Sequence, residues 1–518
     1  MGTTNYSDLL RQKSKKFYTD SSTLSAIETI KNEYKDLSEK IQLKVSINKI
    51  KSDYTYKIKL FHINNYEKIS LNQIVDCINK DDETIILNTP IIIRYYFEKE
   101  QPLLIEIIRA NSEKSNSYKI ETTVGHIMGS RKNTLIQKIY SSENETETEI
   151  LTLQGEKLRQ SEDIVSIKFK INSEKKVSFK EIKNKMYYEI KSDTLLYRSE
   201  CLNDEGIFEN VKIPVGLFKD NMINIIFYNS SRKSCGNFNL NLLEFTNDKL
   251  FEINVKGNKF IILSKSILTK SYTFVDYLYS GIEIGLSVAI DFTNSNGCPK
   301  DERSLHYIQS NKLNQYERAI ISCGNILAYY DYDQLFPCFG FGAKVNNRPR
   351  SLFNLNFQSD PNVKFVEGII EAYHHAIKVV TLYGPTYFAP IIKEMNKIIK
   401  NEDNNLKYHI LLILTDGKID DIDNTIDELV EGSFLPLSVI IIGVGKNNFS
   451  SMKILDADEN PLIDSKGVKA ERDLVQFVPF LKFESCPEQL VNEVLAEIPK
   501  QIIEYYDLKN LDPVKLVT

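Results

Sequence analysis

The chain lacks tryptophan, lacks any C-x-x-C pair and lacks an apolar run that could span a bilayer. A membrane-crossing helix needs about 20 such residues, so none is expected. No signal-peptide pattern opens the sequence. The seven cysteines are odd in number and scattered from Cys77 to Cys486, without zinc or disulfide spacing; a reducing cytosol fits. Missing tryptophan, beside abundant Lys, Asn, Ile and Tyr, reads as coding bias rather than function. Basic residues are not in excess: 65 Lys and Arg face 70 Asp and Glu, which argues against nucleic-acid binding. No G-K-[ST] phosphate loop is present, so Gly340/Gly342 and Gly443/Gly445 read as tight turns. Gly2 could accept a myristoyl chain, but Tyr6 stands where that motif wants Ser or Thr.

What is present is length and pattern. The 518 residues leave room for roughly three domains. Residues 1–40 are polar, with a helical patch around Ser25 to Ile41. Their small basic cluster (Arg11, Lys13, Lys15, Lys16) reads as a solvated tail. Residues 41–155 carry short alternating runs such as IQLKVSI, YKIKLFHI and PLLIEII, and residues 160–265 carry a second set, including IVSIKFKI, MYYEIK and MINIIFY. Two blocks of about eight short strands each predict two all-β antiparallel sandwiches. From residue 270 to 510 apolar strands alternate with amphipathic helices, which predicts an α/β, doubly wound, Rossmann-like domain with a mainly parallel sheet.

In such a sheet, ligands bind at the carboxyl ends of the strands near the topological switch point. The run IGLSVAIDFTNSNG closes a buried strand on Asp291, followed by Thr293 and Ser295. Asp416 ends LLILTD, and Thr386 opens a helix in YGPTYFAPII. Three loops thus offer two carboxylates and three hydroxyls to one rim. Hard oxygens with little charge suit Mg²⁺ or Mn²⁺ and leave positions open for another ligand. The pattern reads as a metal-ion-dependent adhesion site: binding rather than catalysis. His374 and His375 read as packing residues of an amphipathic helix. Asp420, Asp421, Asp423 and Asp427 read as carboxylates at a helix N-terminus.

Residues 269 to 510 resemble the von Willebrand A-type domain of copines. The resemblance rests on SYTFVDYLYSGIEIGLSVAIDFTNSNGCP, SLHYI, NQYERAI, LFPCFGFGA, YGPTYFAPII, LLILTDGKI, LPLSVIIIGVG, FSSMKILDAD and RDLVQFVPF. Two sandwiches before it also follow the copine order, two C2 domains and then an A domain. The resemblance implies that Asp291, Thr293, Ser295, Thr386 and Asp416 are the metal positions. It also implies reversible association with phospholipid, a link to calcium signalling, and a cytoplasmic protein at the plasma membrane or another inner-leaflet surface. Some copine-like A domains are fused to a zinc-bearing ubiquitin-ligase module, but no Cys or His follows Leu511.

The C2-like blocks depart from the family. Calcium wants six to eight oxygens, several of them charged. Asn229 and Ser231 stand where an Asp-x-Asp pair is expected, Lys185 replaces another Asp, and Arg109 and Ala110 occupy acidic places in the first block. Neither block is therefore expected to bind Ca²⁺ well. Lys175, Lys176, Lys180, Lys183, Lys185 and Lys191 form a basic stretch that could face anionic lipid, at about 1 kcal/mol each. The expected function is a copine-like membrane-associating adaptor that recruits a protein partner through an acidic side chain. The alternative is a Mg²⁺-dependent phosphohydrolase using Asp291. It wants a second Asp where Thr293 stands, and a dedicated Lys.

Overall fold

A computed structural model describes residues 38–518, except 51–54, 65–66, 72–74, 78–83, 88–90, 111–114, 140–148, 159–163, 174–185, 192–194, 200–201, 203–206, 209–210, 215–221, 230, 242–248, 256–257, 270–271, 310, 403–405, 457–460 and 518. The chain divides into two compact units. One holds residues 159–272; the other holds residues 38–158 together with 273–518.

The unit of residues 159–272 is a sandwich of two four-stranded antiparallel sheets. In one, Ile164–Ser173 lies between Val211–Pro214 and Asn258–Thr269, with Lys249–Val255 outside; in the other, Met186–Lys191 lies between Leu195–Arg198 and Met222–Asn229, with Ser234–Asn241 outside. Alternation turns one face of each strand inward, where Phe169, Tyr188, Phe208 and Phe227 pack ring against ring at 4.9–5.8 Å.

Residues 38–158 form the other sandwich. Glu39–Asn48 pairs with Glu149–Lys157 on one sheet, and Thr55–Asn64 pairs with Pro102–Ala110 on the other. Here the expectation of a helix up to Ile41 fails, because Glu39–Ile41 already belong to the first strand. The cause is period: Ile41, Leu43, Val45 and Ile47 alternate with polar residues and are all buried. The part of that patch before residue 38 lies outside the described residues. The run TIILNTPIIIRYYF supplies two strands, Thr84–Ile86 and Ile91–Tyr95. Val124–Gly129 adds a short helix that the strand pattern did not announce.

That sandwich and the A-type domain share one unit, and specific contacts join them. Tyr95 and Tyr330 share a hydroxyl–hydroxyl hydrogen bond of 2.6 Å, and Phe97 packs on Phe274 and Tyr330 at 5.0 and 4.9 Å. Glu39 accepts from the Thr273 hydroxyl (2.6 Å) and the Val275 N–H (3.1 Å), at the start of the helix Phe274–Ser280. Lys157 pairs with Asp276 of the same helix at 2.8 Å. Gly129 lies so close to Tyr329 that a Cβ there would stand 2.2 Å from its carbonyl oxygen.

The A-type domain is a doubly wound sheet. Five strands run parallel in the order Leu335–Phe341, Glu283–Asp291, Lys407–Thr415, Leu437–Gly443, Val475–Pro479. By chain order this is 2-1-3-4-5, so the direction of winding reverses beside Glu283–Asp291, between its two neighbours. The strands are apolar on both faces because helices cover both. Gln315–Leu327 and Phe365–Val379 are two of them, and Ala389–Asn401 and Ile422–Gly432 pack into the cluster around Ile413, Ile441 and Met395. The final helical run is broken into Pro487–Leu495 and Ile498–Leu508, with Pro499 in the first turn of the second, where its missing N–H costs nothing.

The glycine pairs are not simply turns. Gly340 and Gly443 lie within strands, where a Cβ would meet the rings of Phe353 at 2.3 Å and Phe449 at 2.8 Å. Only Gly342 (φ +73°) and Gly445 (φ +80°) have turn backbones.

Candidate metal centre

Asp291 and Asp416 lie at or just beyond the carboxyl ends of adjacent strands, Glu283–Asp291 and Lys407–Thr415, at the point of reversal. Asp291 is fully buried. One of its carboxylate oxygens accepts from the Thr293 N–H (2.8 Å), the other from the Thr415 hydroxyl (2.6 Å). Burial pushes its carboxyl above the ordinary range, against the pull of these donors.

Backbone direction changes at once after Asp291. Gly342 lies behind Thr293, with a positive φ and no room for a Cβ, which would stand 2.3 Å from the Thr293 methyl. The short 3₁₀ turn Asn294–Asn296 then brings Ser295 back toward Asp416. Ser295 Oγ donates to Asp416 Oδ1 at 2.8 Å, and Thr293 Oγ1 lies 2.9 Å from Ser295 Oγ and 3.5 Å from the same carboxylate oxygen. Four of the five expected residues therefore meet through side-chain hydrogen bonds. Asp416 is buried, and its Oδ2 has no hydrogen-bond partner. Burial, and then the nearby Asp291, push its carboxyl up to about 7.

Thr386 stands at the edge of this group. Among the described residues no hydrogen bond joins its hydroxyl to the other four. Its backbone is tied on both sides: Tyr383 bridges to Thr293, and the Thr386 N–H donates to Asp420 Oδ2 at 2.9 Å. The Asp420 N–H donates back to the Thr386 carbonyl at 2.9 Å. Thr386 thus lies between the loops that carry Thr293 and Asp416.

Several supports were not singled out from sequence. His306 is fully buried, and its Nε2 bonds the Asp291 carbonyl at 2.8 Å. Since a carbonyl only accepts, Nε2 carries the proton and Nδ1 accepts from the Tyr373 hydroxyl (2.9 Å). Burial lowers this imidazole to about 3, so it stays neutral. Buried Asn296 donates to the Thr293 carbonyl (3.2 Å) and accepts from the Tyr316 hydroxyl (2.6 Å). SLHYI held the histidine in plain view, but a single His on an apolar stretch carries no spacing signal.

The neighbouring acids have other partners. Asp421 accepts from the N–H groups of Phe388 and Ala389, both at 3.0 Å, at the start of the helix Ala389–Asn401. Asp427 accepts from the Ser465 N–H and hydroxyl. His374 bonds buried Glu317 at 2.7 Å.

Residues 304–514 match the family model described as Copine. This segment is a copine domain. The match includes Thr386 and Asp416, while Asp291, Thr293 and Ser295 lie just upstream of it. Similar solved structures include the tandem C2 domains of Extended-Synaptotagmin 2, 11% identical over 45% of this chain and 93% of that one, at a TM-score of 0.18. The manganese-loaded TRAP protein of Plasmodium vivax is 15% identical over 42% and 73%, with a TM-score of 0.28. The VWA domain of SpRpn10 is 12% identical over 38% and 87%, with a TM-score of 0.26.

Ahead of the copine domain, the atypical C2 positions have structural uses. Arg109 is buried, and its guanidinium meets Glu149 Oε1 at 3.0 Å, an oxygen that also accepts from the Tyr56 hydroxyl at 2.6 Å. Asn229 Oδ1 accepts from the N–H groups of Ser231 and Lys233, both at 3.0 Å, closing its own loop. Of the lysines expected at lipid, Lys175, Lys176, Lys180, Lys183 and Lys185 lie outside the described residues. Lys191 is described, and its ammonium pairs with Glu189 at 2.9 Å. No helix among the described residues is long and apolar enough to cross a membrane.

Proposed function

We propose that this chain is a membrane-associating adaptor of the copine type. In this reading its A domain holds Mg²⁺ or Mn²⁺ through Asp291, Thr293, Ser295 and Asp416, with Thr386 at the rim, and receives an acidic side chain from a protein partner. The observation that carries the reading is the orphaned Asp416 Oδ2, buried beside two converging hydroxyls and a second buried carboxylate. An acceptor with no donor is costly in a protein interior, and a divalent cation relieves that cost. Two carboxylates and two or three hydroxyls are too few charges for a typical Ca²⁺ cage, and they suit a smaller ion that keeps water. A bound ion there would supply an electrophilic centre for a carboxylate ligand.

The residues of the chain favour binding over phosphoryl transfer. Both Asp291 oxygens already accept hydrogen bonds and the side chain is buried, so neither is presented as a nucleophile. Calorimetric titration of the full chain with Mn²⁺ tests the metal reading: the tightest Mn²⁺ site of the native chain is expected to be lost with Asp416→Ala. Equal Mn²⁺ affinity in both chains would end it. Asp291-dependent turnover of phosphate esters would instead favour an enzyme.

Membrane association rests on the copine match and on the basic stretch of residues 175–191, which would act electrostatically with little need of Ca²⁺. Co-sedimentation with phosphatidylserine vesicles is expected to be salt-sensitive and to change little with Ca²⁺. Strong calcium-dependent pelleting would show that the C2 loops still work.

A further inference from the structure

At the opposite edge of the same sheet, three carboxylates converge. Glu283 opens the strand Glu283–Asp291, and Asp331 and Asp333 immediately precede the strand Leu335–Phe341. These strands are parallel, so all three lie at the amino-terminal edge. One nine-residue strand, roughly 26 Å, separates them from Asp291. One oxygen from each lies within 4.8 Å of the others.

Each acid also spends an oxygen on the backbone of this turn. Glu283 accepts from the Tyr332 N–H (3.1 Å), Asp331 Oδ1 from the Gln334 N–H (3.2 Å), and Asp333 from the Leu335 N–H (2.8 Å). The other oxygen of Asp331 is the telling one. Asp331 is 2% exposed, and its Oδ2 has no hydrogen-bond partner. Lys407 is the nearby cation, from the neighbouring strand, yet it makes no ion pair with Asp331 among the described residues. The Lys407 charge is felt at Asp331, but no donor contacts its buried Oδ2, and Asp333 and Glu283 add like charge beside it.

We propose that Glu283, Asp331 and Asp333 form a Ca²⁺ site at the amino-terminal edge of the A-domain sheet. Ca²⁺ fits this edge better than Mg²⁺. Ca²⁺ takes six to eight oxygens in a flexible shell, whereas Mg²⁺ demands near-octahedral geometry and gives up its water reluctantly. The half-buried and exposed places of Glu283 and Asp333 leave a side open to the waters that complete a Ca²⁺ shell. The site would also brace the turn whose preceding residues dock on the first sandwich. Tyr329 stacks on His126 at 5.3 Å, Tyr330 bonds Tyr95, and Tyr332 lies under Arg131 at 5.2 Å.

The test uses the full chain carrying Asp416→Asn, so that it does not depend on the carboxyl-edge metal reading. Terbium(III) is the probe, excited through tyrosine, since the chain has no tryptophan. Tyr332 adjoins Glu283 and should sensitise it. The expected result is a luminescence phase displaced by Ca²⁺. That phase should weaken at least tenfold in apparent affinity with Asp331→Asn, and likewise with Asp333→Asn, an exposed position that keeps the fold if the buried change does not. Unchanged Ca²⁺ displacement in the Asp333→Asn chain would overturn the proposal. So would the absence of any Ca²⁺-displaced phase before the change.

Discussion

The two β-sandwiches share an architecture and differ in what surrounds them. The sandwich of residues 159–272 closes on its own aromatic core as a separate compact unit. The sandwich of residues 38–158 belongs to the same unit as the copine domain and carries a buried tyrosine pair, a helix-capping glutamate and a close glycine contact that join the two. Each has an arginine–glutamate pair, Arg109 with Glu149 and Arg198 with Glu189. The first pair is buried on both sides; in the second the arginine is 52% exposed. Identical partners in different solvent should therefore have very different energetic weight.

The largest expected effect breaks the comparison at those pairs. Arg109→Ala leaves Glu149 buried without its cation and should cost about 3–5 kcal/mol of stability, whereas Arg198→Ala should cost about 0–1 kcal/mol. Urea unfolding of the two variants measures both, and equal losses would refute the contrast. Next is metal. Mg²⁺ at a hundredfold excess over its Kd should stabilise the unit that contains Asp416 by about 2.7 kcal/mol and leave the other unit's transition unmoved. Chelator, or Asp416→Ala, should remove that shift in a calorimetric melt.

Smaller is the effect of crowding the junction. Gly129→Ala drives a methyl into the Tyr329 carbonyl and should cost about 1–3 kcal/mol. Limited proteolysis should then separate residues 38–158 from the copine domain sooner than in the native chain. Smallest is pH. Burial holds His126 below its ordinary value, so the folded state binds fewer protons than the unfolded one. Its stability contribution is intact above about pH 6.5 and declines as pH falls below it. His126→Phe keeps a ring on Tyr329 and should flatten part of that decline in thermal melts from about pH 7.5 to 5.5.

Much of the fold could be read along the chain because its periods are clean. Ile284 to Asp291 and Ile410 to Thr415 are apolar without alternation, as strands covered on both faces must be, and their ends placed Asp291 and Asp416 together. The hydroxyls at 293 and 295 followed from the same logic. Thr386 was harder to place, since a helix start does not say how far its hydroxyl reaches. His306, Asn296 and Tyr316 escaped notice because none carries a spacing signal of its own, and its partner lies far along the chain or across a loop. Glu283 lies about fifty residues before Asp331 and Asp333, and all three resemble ordinary surface charge until the sheet brings them side by side.

The order of residues along the chain determined by itself which segments are strands, which are helices, and which strand ends carry oxygen. These are local properties, set by hydrophobic period and by which residues tolerate a turn. Tertiary structure alone decided which acid would be left without a donor, which arginine would be sealed from water, and which sandwich would share a core boundary with the copine domain. Burial and pairing depend on atoms from distant segments meeting in space, and solvent exclusion at that meeting sets their energies.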